Sequence, residues 1–170
     1  MQKVNSDFFL NRELTWIEFN KRVLEEAADK SEPLLERLKF LSIFSTNLDE
    51  FFMIRVAGLK RQVRNNVNEL TTDGMNAREQ RNEIYKTLVP LVDEQYRIFN
   101  EEIVPQLKVN DVEFVTYSEL TEDDKMIVNS YFEDELFPIL TPLAIDNVHP
   151  FPNLINRSLA LAIILEVTEL

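Results

Sequence analysis

The chain contains no cysteine, only two glycines and a single histidine among its 170 residues. Without cysteine, it can form no disulfide, thiol nucleophile or thiolate metal site. The two glycines, Gly58 and Gly74, are far apart, so the glycine-rich phosphate loops of the Walker and dinucleotide types are also excluded. Any nucleotide site in this chain must therefore be built without such a loop.

Long apolar runs are missing as well. The longest, residues 159–165, is much shorter than the roughly 20 residues that a helix needs to cross a bilayer, so we expect no membrane span. The amino terminus also lacks the basic and then apolar pattern of a signal peptide. These features favour a cytoplasmic location.

Basic residues are scarce relative to acidic ones, at 18 against 30, which gives a formal net charge of −12. This charge opposes the broad phosphate neutralisation on which nucleic-acid binding depends, so we expect no nucleic-acid partner. A hydrophobic share of 45% with 28% charged residues is typical of a folded globular protein. A polyanion could bind only at a local basic surface.

Most of the first hundred residues have apolar side chains at helical spacing. Thr15 with Glu18, and Thr46 with Asp49, have the spacing of a capping box at a helix start. We predict helices over residues 15–30, 31–44, 48–68, and from a turn at 71–74 to about residue 104. Pro90 is expected to kink the last helix or to divide it in two.

The pattern changes near residue 105. Residues 112–117 are predicted as a strand, Thr121 as the cap of a helix through Leu136, and residues 158–167 as a buried strand. The sequence therefore predicts a mainly α protein, with an N-terminal helical bundle (1–106) and the beginning of an α+β head domain (107–170). Because a buried strand stands at its end, this second domain is expected to be incomplete.

Asn47 and the basic residues that follow it are the candidate binding residues. An amide at a helix start can offer a donor and an acceptor to a base edge, although the residues alone favour simple capping. Arg55, Lys60, Arg61 and Arg64 are the densest basic cluster and share one side of the predicted helix. They form either a landing surface for phosphate groups or a solvated helix face.

No catalytic or metal-binding residue is predicted. Asp49 and Glu50 are adjacent, so on a helix they point about 100° apart and do not share an ion. His149 lies in a proline-rich turn without a neighbouring group to activate it, which favours a structural role. Four aromatic residues are assigned to the core rather than to a base-stacking platform: Phe8, Phe9, Trp16 and Phe19.

Five segments of the chain carry a family resemblance when taken in order. They are F-F-L-N-R-E-L-T-W-I-E-F-N from Phe8, P-L-L-E-R-L-K-F-L from Pro33, N-L-D-E-F-F-M-I-R-V-A-G-L-K from Asn47, L-F-P-I-L-T-P-L-A-I-D from Leu136 and H-P-F-P-N-L-I-N from His149. Together they resemble the start of the first polyphosphate kinase family. The similarity covers nearly the whole chain.

The resemblance implies a parent enzyme that reversibly transfers the terminal phosphate of ATP to polyphosphate, through a phosphohistidine and with Mg²⁺. It places the catalytic histidine and the metal ligands in C-terminal domains outside this chain, so the chain alone is expected to be inactive. Asn47 matches the asparagine of the family's N-L-D-E-F motif, which contacts ATP on the adenine side.

The resemblance also implies the partners. These are ATP or ADP, polyphosphate, the remaining domains of the parent and a second copy of the parent, since the family's head domain contributes to dimer contacts. Membrane association of the parent is left open. The alternative from a different functional class is a non-enzymatic helical module that binds a protein partner.

Overall fold

The computed structural model describes residues 8–165. The chain forms two compact units, Met1–Phe114 and Val115–Leu170, a division that lies beyond the domain boundary expected near Gln106. The described residues contain helices and turns but no strand, so the protein is mainly α, as predicted. None of the helices in this part of the chain is long and apolar enough to span a membrane.

Helices build three long rods in the first unit. They are α1 (Arg12–Ala28), α2 (Leu34–Phe51), α3 (Ala57–Arg64), α4 (Ala77–Arg97) and α5 (Val104–Val109). A π-helical segment, Phe52–Val56, joins α2 to α3, and a second one, Ile98–Ile103, joins α4 to α5. Each pair therefore continues as one uninterrupted helical rod, and α1 is the third rod.

The first helix begins earlier than predicted. Asn11 caps it, because its side-chain Oδ1 accepts hydrogen bonds from the backbone N–H groups of Glu13 and Leu14 at 3.0 and 3.1 Å. The Thr15 hydroxyl instead donates to the Asn11 carbonyl at 2.8 Å, as threonine commonly does inside a helix. The capping box predicted at Thr15 was therefore wrong.

No helix starts at Thr46 either. The buried side chains Leu41, Phe44, Leu48 and Phe51 continue one apolar stripe through this position, so α2 runs on to Phe51. Packing of that stripe outweighs the local capping pattern. The prediction of a helix start here was wrong, and Asn47 lies inside α2 rather than in a first turn.

The fourth predicted helix is confirmed, and its start is well defined. The turn before it is closed by a hydrogen bond from the Gly74 N–H to the Thr71 carbonyl at 2.9 Å, with Gly74 at φ 89°, a conformation that favours glycine. Asn76 and Glu79 then form a full capping box. The exposed Pro90 lies within α4, and the helix continues past it without interruption.

The second unit contains one longer helix, α6 (Glu122–Tyr131). Thr121 caps α6 by accepting from the Asp124 N–H at 3.1 Å, and a π-helical segment continues it to Leu136, as predicted. Short 3₁₀ turns precede and follow it at Tyr117–Glu119 and Phe137–Ile139. Among residues 115–165, no side chain is buried.

Both strands predicted for the carboxy-terminal part are absent from the described residues. Residues 112–116 have no regular structure, and Tyr117 begins a 3₁₀ turn. Residues 158–165 are likewise irregular, and the end of that predicted strand, residues 166–167, lies outside the described part. A β-rich pattern forms a strand only when a partner satisfies its backbone hydrogen bonds, and residues 8–165 offer none.

The core of the first unit is formed by side chains from every rod. Trp16 packs against this core, as predicted. Phe8, Phe9 and Phe19 are instead exposed, at 82, 42 and 47% of their surface, so their assignment to the core was wrong. Phe19 follows the buried Ile17 by two positions, and this spacing places the two on opposite sides of a helix.

A buried ion pair closes one end of the first unit. Arg37 of α2 is 2% exposed; its Nε donates to the Ala27 carbonyl at 2.8 Å and its Nη2 to Glu102 Oε2 at 2.7 Å. The Nη1 of Arg97 also lies 3.0 Å from Glu102. The hydrogen bond from Arg37 is the main cause that lowers the pKa of Glu102. This network connects all three rods.

We expect the Arg37→Ala variant to lose about 2–4 kcal/mol of unfolding free energy, because it leaves a partly buried carboxylate with one partner fewer. Urea denaturation followed by helical circular dichroism measures this loss. The control is Lys39→Ala, which removes an exposed ion pair with Glu36 and should cost less than about 1 kcal/mol. Equal losses in the two variants would contradict the role given to Arg37.

The same network predicts a pH dependence. Because the pKa of folded Glu102 lies below the usual value of a glutamate, the pair stabilises the protein above that usual value. The contribution is lost as the pH falls through the lowered pKa. We expect the unfolding free energy of the wild type to fall more steeply below about pH 5 than that of Glu102→Gln. Parallel curves for the two proteins would be inconsistent with this account.

Candidate functional site

The candidate site lies where α1 and α2 pack side by side in opposite directions. Trp16 of α1 stacks on Phe51 of α2, with ring centroids 4.3 Å apart and an interplanar angle of 7°. One helical turn away, Asn47 Nδ2 donates to Asn20 Oδ1 at 2.9 Å. An aromatic pair and an amide pair therefore occupy successive layers of this helix interface.

The orientation of the amide pair follows from its surroundings. Asn20 is fully buried, and its Nδ2 donates to the Phe44 carbonyl at 3.2 Å. Because a carbonyl can only accept, the Oδ1 of Asn20 must face Asn47, and Asn47 must present its Nδ2. The half-buried Asn47 thus holds one amide orientation.

Among the described residues, no side chain or backbone group occupies the rest of the Asn47 amide. Within residues 8–165, Asn20 is the only hydrogen-bond partner of this side chain. One N–H group and the Oδ1 atom are left, and an asparagine amide can pair with the N6 and N7 atoms of adenine in a bidentate way. The arrangement is therefore suited to positioning a base and contains no group that would transfer a phosphate.

Asn20 is a residue that the sequence reasoning missed. It occupies a position within the buried stripe of α1, between Ile17 and Leu24, where an apolar side chain is the usual choice. A polar residue at such a position needs a hydrogen-bond partner inside the protein. This exception in an otherwise apolar stripe was the signal that could have identified it.

The structure separates the predicted basic residues into two groups. The Nη1 atom of Arg55, in the π-helical segment, lies 3.7 Å from Glu13 Oε1. The other three residues, Lys60, Arg61 and Arg64, are exposed on α3 and form no ion pair with a carboxylate of residues 8–165. Arg55 is therefore partly neutralised, whereas the three residues of α3 keep their charge free.

A groove of about 250 Å³ lies between α2 and the rod of α4. The Nε2 atom of Gln95 crosses it to donate to the Leu41 carbonyl at 3.2 Å and to Ser45 Oγ at 2.9 Å. Ser45 and Asn47 are two positions apart and point to different sides of α2. Asn47 therefore does not line this groove, and a ligand on Asn47 would lie elsewhere on the bundle.

Comparison with known proteins gives the family. A sequence profile described as the polyphosphate kinase N-terminal domain matches residues 9–115, and the profile of the polyphosphate kinase middle domain matches residues 123–169. The chain belongs to the polyphosphate kinase family. The resemblance predicted from the sequence motifs is thereby confirmed.

Individual polyphosphate kinases agree with this assignment. That of Thermosynechococcus vestitus is 47% identical over 165 residues, which are 97% of this chain and 22% of the relative. That of Prosthecochloris aestuarii is 49% identical over 166 residues, covering 97% of this chain and 23% of the relative. The chain thus spans less than a quarter of the length of these relatives.

A solved structure supports the fold. The crystal structure of polyphosphate kinase from Porphyromonas gingivalis matches with a TM-score of 0.62 and 34% identity. The match covers 76% of this chain and 18% of that protein. At this identity, the similarity supports the family as well as the fold.

His149 lies in the part of the chain matched by the polyphosphate kinase middle domain. Its ring Nδ1 is 2.9 Å from Asp146 Oδ2, and its backbone N–H donates to Asp146 Oδ1 at 2.7 Å. The hydrogen bond from the His149 side chain is the main cause that lowers the pKa of Asp146. These bonds are local to one turn, and the structural role of His149 stays a prediction.

We expect Asn20→Ala to destabilise the protein by about 1–3 kcal/mol, because it removes a fully buried hydrogen-bonding side chain and the anchor of Asn47. Urea denaturation measures the change. The control is Asn82→Ala on the exposed side of α4, which should lie within about 0.5 kcal/mol of wild type. A loss no larger than that of the control would mean that the amide pair contributes nothing to the helix interface.

Proposed function

We propose that this chain is the part of a polyphosphate kinase that holds the adenine side of ATP, with Asn47 facing the base. The observation that carries the proposal is the half-buried Asn47 amide, which Asn20 holds in one orientation with a donor and an acceptor left over. Membership of the polyphosphate kinase family supports it, because the name implies a nucleotide substrate.

We infer that the parent enzyme reversibly transfers the terminal phosphate of ATP to polyphosphate through a phosphohistidine. Such a transfer needs cationic groups, in-line positioning and a nucleophile in one preorganised site. Asn47 supplies positioning alone. The chemistry is therefore assigned to other parts of the parent, and ATP or ADP, polyphosphate, those parts and a second parent subunit are the proposed partners.

Mg²⁺ is proposed for the parent reaction and not for this chain. Residues 8–165 contain no group of three or more His, Asp or Glu side chains arranged to hold a metal ion. Several acidic residues here cap helices, such as Glu79 and Glu119, or pair with cations, such as Glu94 and Glu102. We propose that the ligands of Mg²⁺ lie in other parts of the parent.

The nucleotide role is tested by titrating the chain with ATP while recording the fluorescence of Trp16, its only tryptophan. Trp16 lies one turn from Asn20, so a base on Asn47 should change its emission. We expect Asn47→Ala to weaken ATP binding between about fivefold and a hundredfold, since one bidentate amide contact is worth about 1–3 kcal/mol. Asn82→Ala is the matched control.

GTP provides a second comparison for the same titration. Guanine presents two acceptors at the edge where adenine presents a donor and an acceptor, so wild type should prefer ATP. Asn47→Ala should lose that preference. An unchanged affinity for ATP, or an unchanged preference, would remove Asn47 from the base contact.

We expect the purified chain to make no polyphosphate from ATP and Mg²⁺, because the residues proposed here only position the nucleotide. The measurement is phosphate incorporation from labelled ATP, with a full-length family enzyme as the positive control. Incorporation above the background of the reaction without protein would contradict the proposal that other parts of the parent carry out the phosphate transfer.

A non-enzymatic interaction module is the second candidate. Apolar side chains of the second unit, such as Ile127 and Tyr131, are 68 and 57% exposed, which favours a surface that a protein partner covers. Light scattering over a range of concentrations distinguishes the two functions. Association that grows with concentration, without any effect of ATP on Trp16, would favour the module.

A further inference from the structure

A long stretch of the chain is free of acidic residues. Between Glu50 and Glu69 the sequence contains no aspartate or glutamate, although the whole chain has 30 of them. The same stretch contains Arg55, Lys60, Arg61 and Arg64. The local charge is therefore opposite in sign to the net charge of −12.

The three basic residues of α3 differ from most cations of the first unit. Three exposed lysines elsewhere pair with a carboxylate one turn away: Lys21 with Glu25, Lys39 with Glu36 and Lys86 with Glu83. Lys60 and Arg64 are four positions apart, and Arg61 and Arg64 three, so α3 brings like charges together, which is unfavourable for the helix. An external anion would relieve this repulsion.

Gly58 adds a second feature to the same helix. A glycine inside a helix costs about 1 kcal/mol relative to alanine. A Cβ atom added at Gly58 would meet nothing within 4 Å, so the packing of the chain itself does not require glycine there. Because Gly58 and Arg61 are three positions apart and lie side by side on the helix, a ligand held by Arg61 can approach the backbone closely.

We propose that the surface formed by Lys60, Arg61 and Arg64 on α3 binds the linear polyphosphate chain, apart from the base contact of Asn47. The inference rests on the proposed function, which makes polyphosphate the second substrate of the parent. Arg55 is not included, because Glu13 already neutralises it in part.

Polyphosphate fits this surface better than a nucleic acid does. Three side chains on one short helix offer few contacts, and the acidic remainder of the chain repels a wide polyanion such as duplex DNA. A thin, unbranched phosphate chain needs only a narrow strip. Guanidinium groups can bind its phosphate oxygens in pairs, and the lysine adds a mobile point charge.

The test measures the binding of end-labelled polyphosphate of defined length by fluorescence anisotropy, at several salt concentrations. The variant is the triple change Lys60→Gln, Arg61→Gln and Arg64→Gln. Its matched control is Lys21→Gln, Lys39→Gln and Lys86→Gln, which alters the net charge equally at other places. We expect the first variant to weaken binding at least about tenfold and the control to stay near wild type.

The salt dependence gives an independent measure. Each lost phosphate contact on a flexible single chain lowers the slope of log affinity against log salt by about 0.7, so the triple variant should lose about two units. Circular dichroism of both triple variants checks that they fold. Duplex DNA at the same phosphate concentration should bind more weakly than polyphosphate.

The outcomes separate this inference from the nucleotide proposal. Asn47→Ala should keep full polyphosphate affinity, and the α3 triple variant should keep the Trp16 response to ATP. Equal weakening in the two triple variants, or no polyphosphate binding by wild type at low salt, would overturn the inference. Stronger binding of duplex DNA would assign the surface to nucleic acid instead.

Discussion

The first unit depends on one charge buried between its three helical rods. Arg37 is almost without solvent contact, and a buried guanidinium is tolerated only when its hydrogen bonds are satisfied. Its Nε reaches the carbonyl of Ala27 near the end of α1, and its Nη2 reaches Glu102 in the second π-helical segment. The side chain thus fixes where α1 ends relative to the other two rods.

The geometry of the candidate site depends on this position of α1 relative to α2. Arg37 holds one end of the bundle, so the facing surfaces of α1 and α2 meet in a fixed register. In each layer of this interface, a side chain of α1 contacts a side chain of the same chemical type on α2. The stacked rings of Trp16 and Phe51 form one layer, and the amides of Asn20 and Asn47 form the next. Preorganisation of the Asn47 amide is therefore a property of the helix packing rather than of a loop.

Helical periodicity predicted most of the first unit, because its helices bury continuous apolar stripes. The prediction was wrong at Thr46, where the local capping pattern indicated a helix start. The helix continues there because its apolar stripe continues through Phe44, Leu48 and Phe51. The π-helical segments were also not predicted, since they differ from an α-helix by a single hydrogen-bond shift. The strands failed because their pattern depends on partners that residues 8–165 do not contain.

The candidate site was predicted only in part, for a similar reason. The sequence indicated Asn47 through its resemblance to a family motif, but its support comes from Asn20, which is 27 positions away. The free charges of α3 were visible in the sequence, whereas the pairing of Arg55 with the distant Glu13 was not. Contacts between residues that are far apart in the chain can be assigned only once the fold is known.

The π-helical segment Phe52–Val56 has a consequence for how the two proposed surfaces are related. It inserts about one extra residue into the rod that carries both Asn47 and the basic side chains of α3. If the same residues wound as a regular α-helix, with none removed, everything beyond them would turn by about 100° around the rod axis. The winding of this short segment therefore sets the angle around the rod between Asn47 and the basic residues of α3. It determines the direction in which Lys60, Arg61 and Arg64 face when Asn47 is held in place.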